Sequence, residues 1–156
     1  INRKLVESCL RATDLDVRLV NGHSTDVLCA SDAAVVCSGT STLQTALLAR
    51  PMVVVYRVSW LSYALLRRLI KIPYIALVNI IAGKPLVPEL IQKNFTPTNV
   101  RREILKLLKN GSQTQELVRE LQDIRSQLGT DKTATKVTNV LETYLPNNQS
   151  STRPLR

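Results

Sequence analysis

Residues 33–49 read AAVVCSGTSTLQTALLA, and this stretch decides the fold. Ala33–Cys37 is a short apolar run rich in β-branched residues, without the polar alternation of a strand that faces water on one side. Ser38-Gly39-Thr40-Ser41 breaks the run with small and hydroxyl-bearing residues, and from Thr40 to Ala49 the apolar positions recur at helical spacing. A buried strand that passes through a tight glycine turn straight into a helix is the start of a βαβ unit.

Working outward, Met52–Tyr56 supplies the second strand of that unit, and Val17–Val20 and Tyr74–Val78 read as two more. Helical patterns lie between them, at about Asn2–Ala12, Ser24–Ala30 and Ser59–Ile70. Strand and helix in alternation predict an α/β fold, a Rossmann-like parallel sheet with flanking helices. Beyond Val78 only helices are expected, over Pro88–Gln92, Pro97–Lys109, Gln113–Gln127 and Lys132–Tyr144. Pro97 suits a helix start, and Asn110-Gly111 and Gly129 suit stops. The expected division is a partial Rossmann-like domain over 1–96, helices packed on it over 97–145, and a loose tail over 146–156, where PNNQSSTRPLR has no apolar period.

The chain has 156 residues, of which 44% are hydrophobic and 21% charged, so it is long and apolar enough to bury a core and is not a disordered polymer. Its three cysteines, Cys9, Cys29 and Cys37, are odd in number and lack metal-site spacing, which argues against a disulfide framework or zinc site and for a reducing compartment. Ile1 is not a start methionine, and the reading expects a piece of a longer protein. The apolar stretch Trp60–Ala82 is broken by Arg67, Arg68 and Lys71, so no membrane span is expected.

The net charge of +9 is unevenly placed. Residues 1–32 carry four basic and five acidic side chains, whereas 33–88 carry Arg50, Arg57, Arg67, Arg68, Lys71 and Lys84 and no acid. These cations stand singly among apolar residues, and with only six aromatics in the chain a stacking platform for single-stranded nucleic acid is not supported. The segment from Ser59 to Lys71, with Trp60 and Tyr63 at one end and Arg67, Arg68 and Lys71 at the other, suits an anionic membrane interface or an acyl chain; burial against another domain or subunit is the competing reading.

Ligands of open α/β sheets bind beyond the carboxyl ends of the strands, which directs attention to the loops there. The Ser38–Gln44 turn offers the backbone N–H groups and positive dipole end of a helix start, with Gly39 permitting close approach, and so suits an anion. Ser41 and Gln44 equally fit a capping box that only starts the helix. Arg57 follows the second strand, where its guanidinium suits a phosphate or carboxylate. Asn79, Gly83 and Glu89 lie in the next loop; Asn79 alternatively satisfies a turn, and Glu89 is either a helix N-terminal acid or a sugar-hydroxyl acceptor. His23 reads as a loop histidine. No Ser/His/Asp set, carboxylate pair, metal cluster or Walker motif is present, so hydrolase and P-loop readings lack support.

Two blocks, SDAAVVCSGTSTLQTALLARPMVVVYRVS over 31–59 and RRLIKIPYIALVNIIAGKPLVPELIQ over 67–92, resemble the carboxyl-terminal half of the lipid-A-disaccharide synthase family. Ser38, Gly39, Thr40 and Thr42 match that family's SGTATLE-like turn, with Gln44 in place of Glu. Tyr56 and Arg57 match its YR pair, and Asn79, Ala82, Gly83, Glu89, Leu90 and Gln92 its PNLLAGRxxVPELLQ-like segment, with Val78 for Pro and Lys84 for Arg.

The resemblance implies the nucleotide-binding half of an inverting glycosyltransferase built from two Rossmann domains. Such an enzyme transfers 2,3-diacylglucosamine from its UDP donor to 2,3-diacylglucosamine 1-phosphate (lipid X), giving a β-1,6-linked disaccharide and UDP. It implies donor-nucleotide contacts at Ser38, Gly39, Thr40, Thr42, Gln44, Arg57, Asn79, Gly83 and Glu89, with Trp60, Tyr63, Arg67, Arg68 and Lys71 toward membrane or acyl chains. No metal or other cofactor is implied. The expected location is cytoplasmic and peripheral on the inner membrane, with an absent amino-terminal domain supplying the acceptor site and the base; a homodimer fits as well. Other UDP-sugar enzymes of this fold, a peptidoglycan glycosyltransferase or an epimerase, and a noncatalytic basic anion-binding module are the alternatives.

Overall fold

A computed structural model of the chain describes residues 3–10, 16–59, 73–109, 111–128 and 133–144. The elements are α1 (Arg3–Leu10), α2 (Ser24–Ala30), β1 (Ala34–Cys37), α3 (Thr40–Leu47), β2 (Met52–Tyr56), α4 (Leu77–Ala82), β3 (Glu89–Ile91), a 3-10 turn (Gln92–Asn94), α5 (Pro97–Leu108), α6 (Ser112–Leu128) and α7 (Thr133–Tyr144). The strands form one parallel sheet in the order β1-β2-β3, in register Cys37 opposite Val55 and Tyr56 opposite Ile91. This is the α/β architecture the sequence predicts.

The central strand shows why its run is apolar throughout. Alternate side chains of a strand leave opposite faces. Met52 and Val54 therefore join one cluster with Val36, Ala46, Ala76, Val78, Val87, Leu117, Leu121 and Ile124, while Val53 and Val55 join Leu90 in another, packed against Phe95, Val100, Ile104 and Leu107. Helices α3, α4 and α6 thus cover one face and α5 the other. Buried Thr114, Leu117, Leu121 and Ile124 recur at helical spacing along α6 and form its sheet-facing stripe. Helix α5 begins as expected at Pro97, with the Thr96 side chain accepting from Asn99 N at 3.2 Å.

Three expected elements differ. Val17–Val20 is not a strand: it has no ladder partner among the described residues, and Val17, Leu19 and Val20 are exposed. Tyr74–Val78 is not a strand either. Its Ile75 and Ala76 N–H groups bond to the Glu89 carboxylate, and the chain turns into α4 from Leu77.

The third strand is instead Glu89–Ile91, which the sequence reading placed in a helix. Pro88 stands just before it, a position where the missing N–H costs nothing, and the Pro88 carbonyl accepts from Val54 N at 2.9 Å. The Ser59–Ile70 helix, with Trp60, Tyr63, Arg67 and Arg68, and Lys71 beyond it, falls outside the described residues apart from Ser59. No helix among the described residues is long and apolar enough to cross a membrane.

Candidate functional site

All three strands run the same way, so the segments after Cys37, Tyr56 and Ile91 gather at one edge of the sheet. The first is the Ser38-Gly39 turn. Ser38 N donates to Val55 O at 3.0 Å, extending the ladder by one residue before the chain breaks away. Gly39 then takes φ 145° and ψ −161° as the N-cap of α3, with no side-chain hydrogen bond capping the helix. That backbone conformation is essentially confined to glycine.

The turn is braced from behind. Thr42 is fully buried, and its Oγ1 donates to Gly39 O at 2.7 Å. Thr45, also fully buried, donates from its hydroxyl to Ser41 O at 2.8 Å, and Ser41 Oγ donates to Cys37 O at 3.0 Å. The hydroxyls of Ser41, Thr42 and Thr45 therefore point back into the framework, and the α3 start presents backbone N–H groups with a favourable dipole to whatever faces Gly39 and Thr40.

The capping box that was the alternative reading of Ser41 and Gln44 does not form: the N-cap is Gly39, and Gln44 Nε2 donates to Thr25 Oγ1 on α2 at 3.2 Å. The register is the reason. With Gly39 at the N-cap, Ser41 and Gln44 lie two residues too far into the helix to serve as a cap and its partner.

The second segment carries Arg57. Its Nη2 donates to Phe95 O at 2.7 Å and to Gln92 O at 3.4 Å, and the guanidinium lies 5.2 Å from the centre of the Phe95 ring. Beside it, Val58 N donates to Gln92 Oε1 at 3.2 Å and Gln92 Nε2 donates to Val58 O at 3.1 Å, so one side chain pairs with both backbone groups of Val58. Gln92 has φ 50°. The sequence reading matched Gln92 only as a family position; its amide clasps the loop after β2 to the turn after β3.

Asn79 and Glu89 form the third group. Asn79 is fully buried, with Nδ2 donating to Val87 O at 2.9 Å and to Glu89 Oε1 at 2.8 Å while Oδ1 accepts from Val87 N at 2.9 Å. The Glu89 carboxylate also accepts from Ala76 N at 2.9 Å and from Ile75 N at 3.0 Å to Oε2. Glu89 is thus the acid at a helix N-terminus, as one of its two readings held, but for α4 and from a strand thirteen residues further on. Gly83 ends α4 in the left-handed region at φ 65°, and Lys84 forms an ion pair with Glu120 on α6.

These groups are joined. Ser38 Oγ donates to Ile75 O at 3.3 Å, and the N–H of Ile75 is held by Glu89, which in turn holds Asn79. The structure so brings the turn after β1 into one hydrogen-bonded chain with Glu89 and Asn79, while Arg57 braces the neighbouring loop. Cys9, Cys29 and Cys37 carry free, exposed thiols. Among the described residues no group of three His, Cys, Asp or Glu side chains is placed to hold a metal ion.

Comparison with known proteins places this arrangement. The lipid-A-disaccharide synthetase family model matches residues 3–142. A lipid-A-disaccharide synthase of Anaeromyxobacter dehalogenans (strain 2CP-C) is 47% identical over 130 residues, covering 83% of this chain and 34% of that protein. The Myxococcus xanthus (strain DK1622) protein of the same name is 36% identical over 146 residues, 94% of this chain and 38% of its own length. That of Pseudomonas aeruginosa (strain LESB58) is 46% identical over 115 residues, 73% of this chain and 30% of its own. The chain spans about a third of the length of these curated relatives. With the family match running through the sheet, the Gly39 turn and the Asn79–Glu89 lock, the chain belongs to the lipid-A-disaccharide synthase family.

Proposed function

We propose that this chain is the donor-nucleotide portion of a glycosyltransferase that moves 2,3-diacylglucosamine from UDP to the sugar of lipid X, forming the β-1,6-linked lipid A disaccharide and releasing UDP. The observation that carries the reading is the start of α3: a glycine N-cap without a side-chain cap, at the carboxyl edge of a parallel sheet. The diphosphate lies against the Gly39 and Thr40 backbone, and the ribose lies near Gln44. Glycosyl transfer leaves negative charge on the departing diphosphate, and fixed N–H groups aimed at that charge stabilise it without reorganising.

On this reading Ser38, Thr42, Arg57, Asn79, Gly83 and Glu89 serve the nucleotide as its frame. Their polar or backbone groups hold the loops that shape the edge. The acceptor hydroxyl needs a base and must be held close to the donor carbon. Those tasks belong to the remainder of the enzyme, and the chain alone is expected to bind UDP without making disaccharide. The cations of the 59–71 segment hold the protein on the anionic inner-membrane surface where both lipid substrates reside.

Calorimetric titration with UDP tests the placement. Gly39→Ala carries the backbone strain of a side chain at φ 145°, and Gly39→Asp adds a negative charge to the same strain. Space is not at issue, since a Cβ at Gly39 meets nothing within 4 Å. The expected result is a further loss of about tenfold or more in UDP affinity from Ala to Asp, as a charge set against a diphosphate requires. Equal affinities for the two variants would remove the diphosphate from this turn.

A further inference from the structure

A cavity lies at the amino edge of the sheet, opposite the Gly39 turn. Asp32 and Pro51 stand just before β1 and β2, and here the chain passes from the end of α5 on one face to the start of α6 on the other. The space left at that crossing is about 340 Å³, the size of a small-molecule site. Leu107, Leu108 and Val118 give it an apolar wall, and Asp32, Arg50 and Thr114 supply its polar groups. The Thr114 hydroxyl is already committed, donating to Leu107 O at 3.3 Å.

Arg50 is not committed. The end of α3 sets its position: Ala49 takes the left-handed φ of 51°, Arg50 N donates back to Thr45 O at 3.2 Å, and Pro51 leads into β2. The side chain so placed is half-buried, and its Nε is enclosed without a hydrogen-bond partner. Among the described residues the guanidinium forms no hydrogen bond or ion pair, not even with exposed Asp32 beside the same cavity. Its charge has lost water along one edge and gained no acceptor in exchange, so an anion brought to the remaining Nη pair gains more than it would at a fully hydrated arginine.

We propose that this cavity is a ligand site for a small carboxylate with an apolar tail, its head held end-on by the Nη pair of Arg50 and its tail against Leu107, Leu108 and Val118. A planar carboxylate fits that fork with two parallel bonds. A doubly charged phosphate fits less well, because one arginine faces it and Asp32 adds a negative charge beside it. The site shares no residue with the proposed nucleotide site and stands on the opposite edge of the sheet.

The test is calorimetric titration of the chain with octanoate, octanol and octyl phosphate. Octanoate should bind at least about tenfold more tightly than octanol, the value of a hydrogen-bonded charge. Octyl phosphate should bind more weakly than octanoate; the reverse order would overturn the assignment of a singly charged head. Arg50→Met keeps an apolar stem and removes an unpaired charge, so the fold should hold, the octanol affinity should persist and the preference for octanoate should disappear. Arg50→Lys should retain only part of it, since an ammonium lacks the fork. Saturating UDP should leave octanoate binding unchanged. Absence of a preference in wild type, its survival in Arg50→Met, as binding to the cations of the 59–71 segment would give, or displacement of octanoate by UDP would each overturn the inference, and none of these results bears on whether UDP binds at Gly39.

Discussion

Asn79 pairs with Val87 as a neighbouring strand would: its Oδ1 accepts from Val87 N and its Nδ2 donates to Val87 O, both at 2.9 Å. The same Nδ2 also reaches Glu89 at 2.8 Å. Substitution by Ala leaves both buried backbone groups of Val87 without a partner, and the expected cost is about 2–4 kcal/mol. Asn79→Asp should cost more near neutral pH, because it removes the donors and sets a second carboxylate against Glu89. Burial and that neighbour raise the pKa of the new acid in the folded state, so its penalty should shrink as the pH falls through that raised value. Urea unfolding at several pH values checks both variants; equal midpoints for wild type and Asn79→Ala would dismiss the lock.

Arg57 gives a sharper division between frame and ligand contact. With Nη2 on Phe95 O and the guanidinium over the Phe95 ring, Arg57→Ala should lower stability by about 1 kcal/mol, the modest value fitting an exposed site. UDP affinity should change by less than about threefold. Arg57→Lys should recover little, because an ammonium cannot reproduce the planar contact. Denaturant titration and calorimetry read the two effects separately. A tenfold loss of UDP affinity with uridine binding unchanged would return Arg57 to the phosphate.

Glu103 on α5 sets a pH dependence. A hydrogen bond from Lys106 holds its carboxyl below the ordinary glutamate value of 4.5, against an opposing effect of burial and with further help from Arg102. Lys106 Nζ approaches Glu103 Oε2 to 2.9 Å and Arg102 Nε approaches Oε1 to 2.9 Å. A carboxylate with a depressed folded pKa adds stability above its unfolded pKa and loses it as the pH falls through the folded value. Both cations are largely exposed, so Glu103→Gln should lose under about 1 kcal/mol near neutral pH, and the difference from wild type should vanish in acid and diminish at high salt. Thermal unfolding across pH measures this, and a difference that grows on acidification would contradict it.

The 59–71 segment should bring the protein to anionic vesicles. Each cation at such a surface contributes about 1 kcal/mol, and salt screens it. Liposome flotation should show salt-sensitive binding to anionic vesicles and little to neutral ones, with Arg67→Glu and Arg68→Glu together abolishing it. Equal recovery with both vesicle types would assign the segment to a contact within the protein.

The parts of this fold legible in the sequence are those in which a local pattern and the tertiary outcome agree. MVVVY over 52–56 reads as a covered strand because it is one, with both faces packed. The passage from Cys37 through Gly39 into α3 is legible because only a strand-to-helix turn uses those residues in that order. Residues 74–78 mislead for a physical reason: a five-residue apolar run suits a strand or the entry to a buried helix equally, and Leu77 and Val78 open α4 while the third strand falls to Glu89–Ile91. A distant carboxylate decides for the helix. Asn79 and Glu89 are visible as distinctive loop residues, but their partners stand eight to fourteen positions away, beyond any local pattern. Thr25, unremarkable in sequence, meets Gln44 only when α2 is laid beside α3.

The Glu89 cap also bears on the order in which the chain folds. Helix α4 has six residues, fewer than a helix needs to persist alone in water, and its N-cap Ala76 offers no side-chain acceptor. Its cap is carried by the strand that completes the sheet, and its third residue is tied to the segment just before that strand. Neither piece can mature while the other is unformed: α4 without β3 is an uncapped helix of under two turns, and β3 is only three residues long. Residues 75–91 should therefore condense in one cooperative step, late in folding and only after β2 offers its edge, and destabilising either piece should speed the unfolding of both to the same extent.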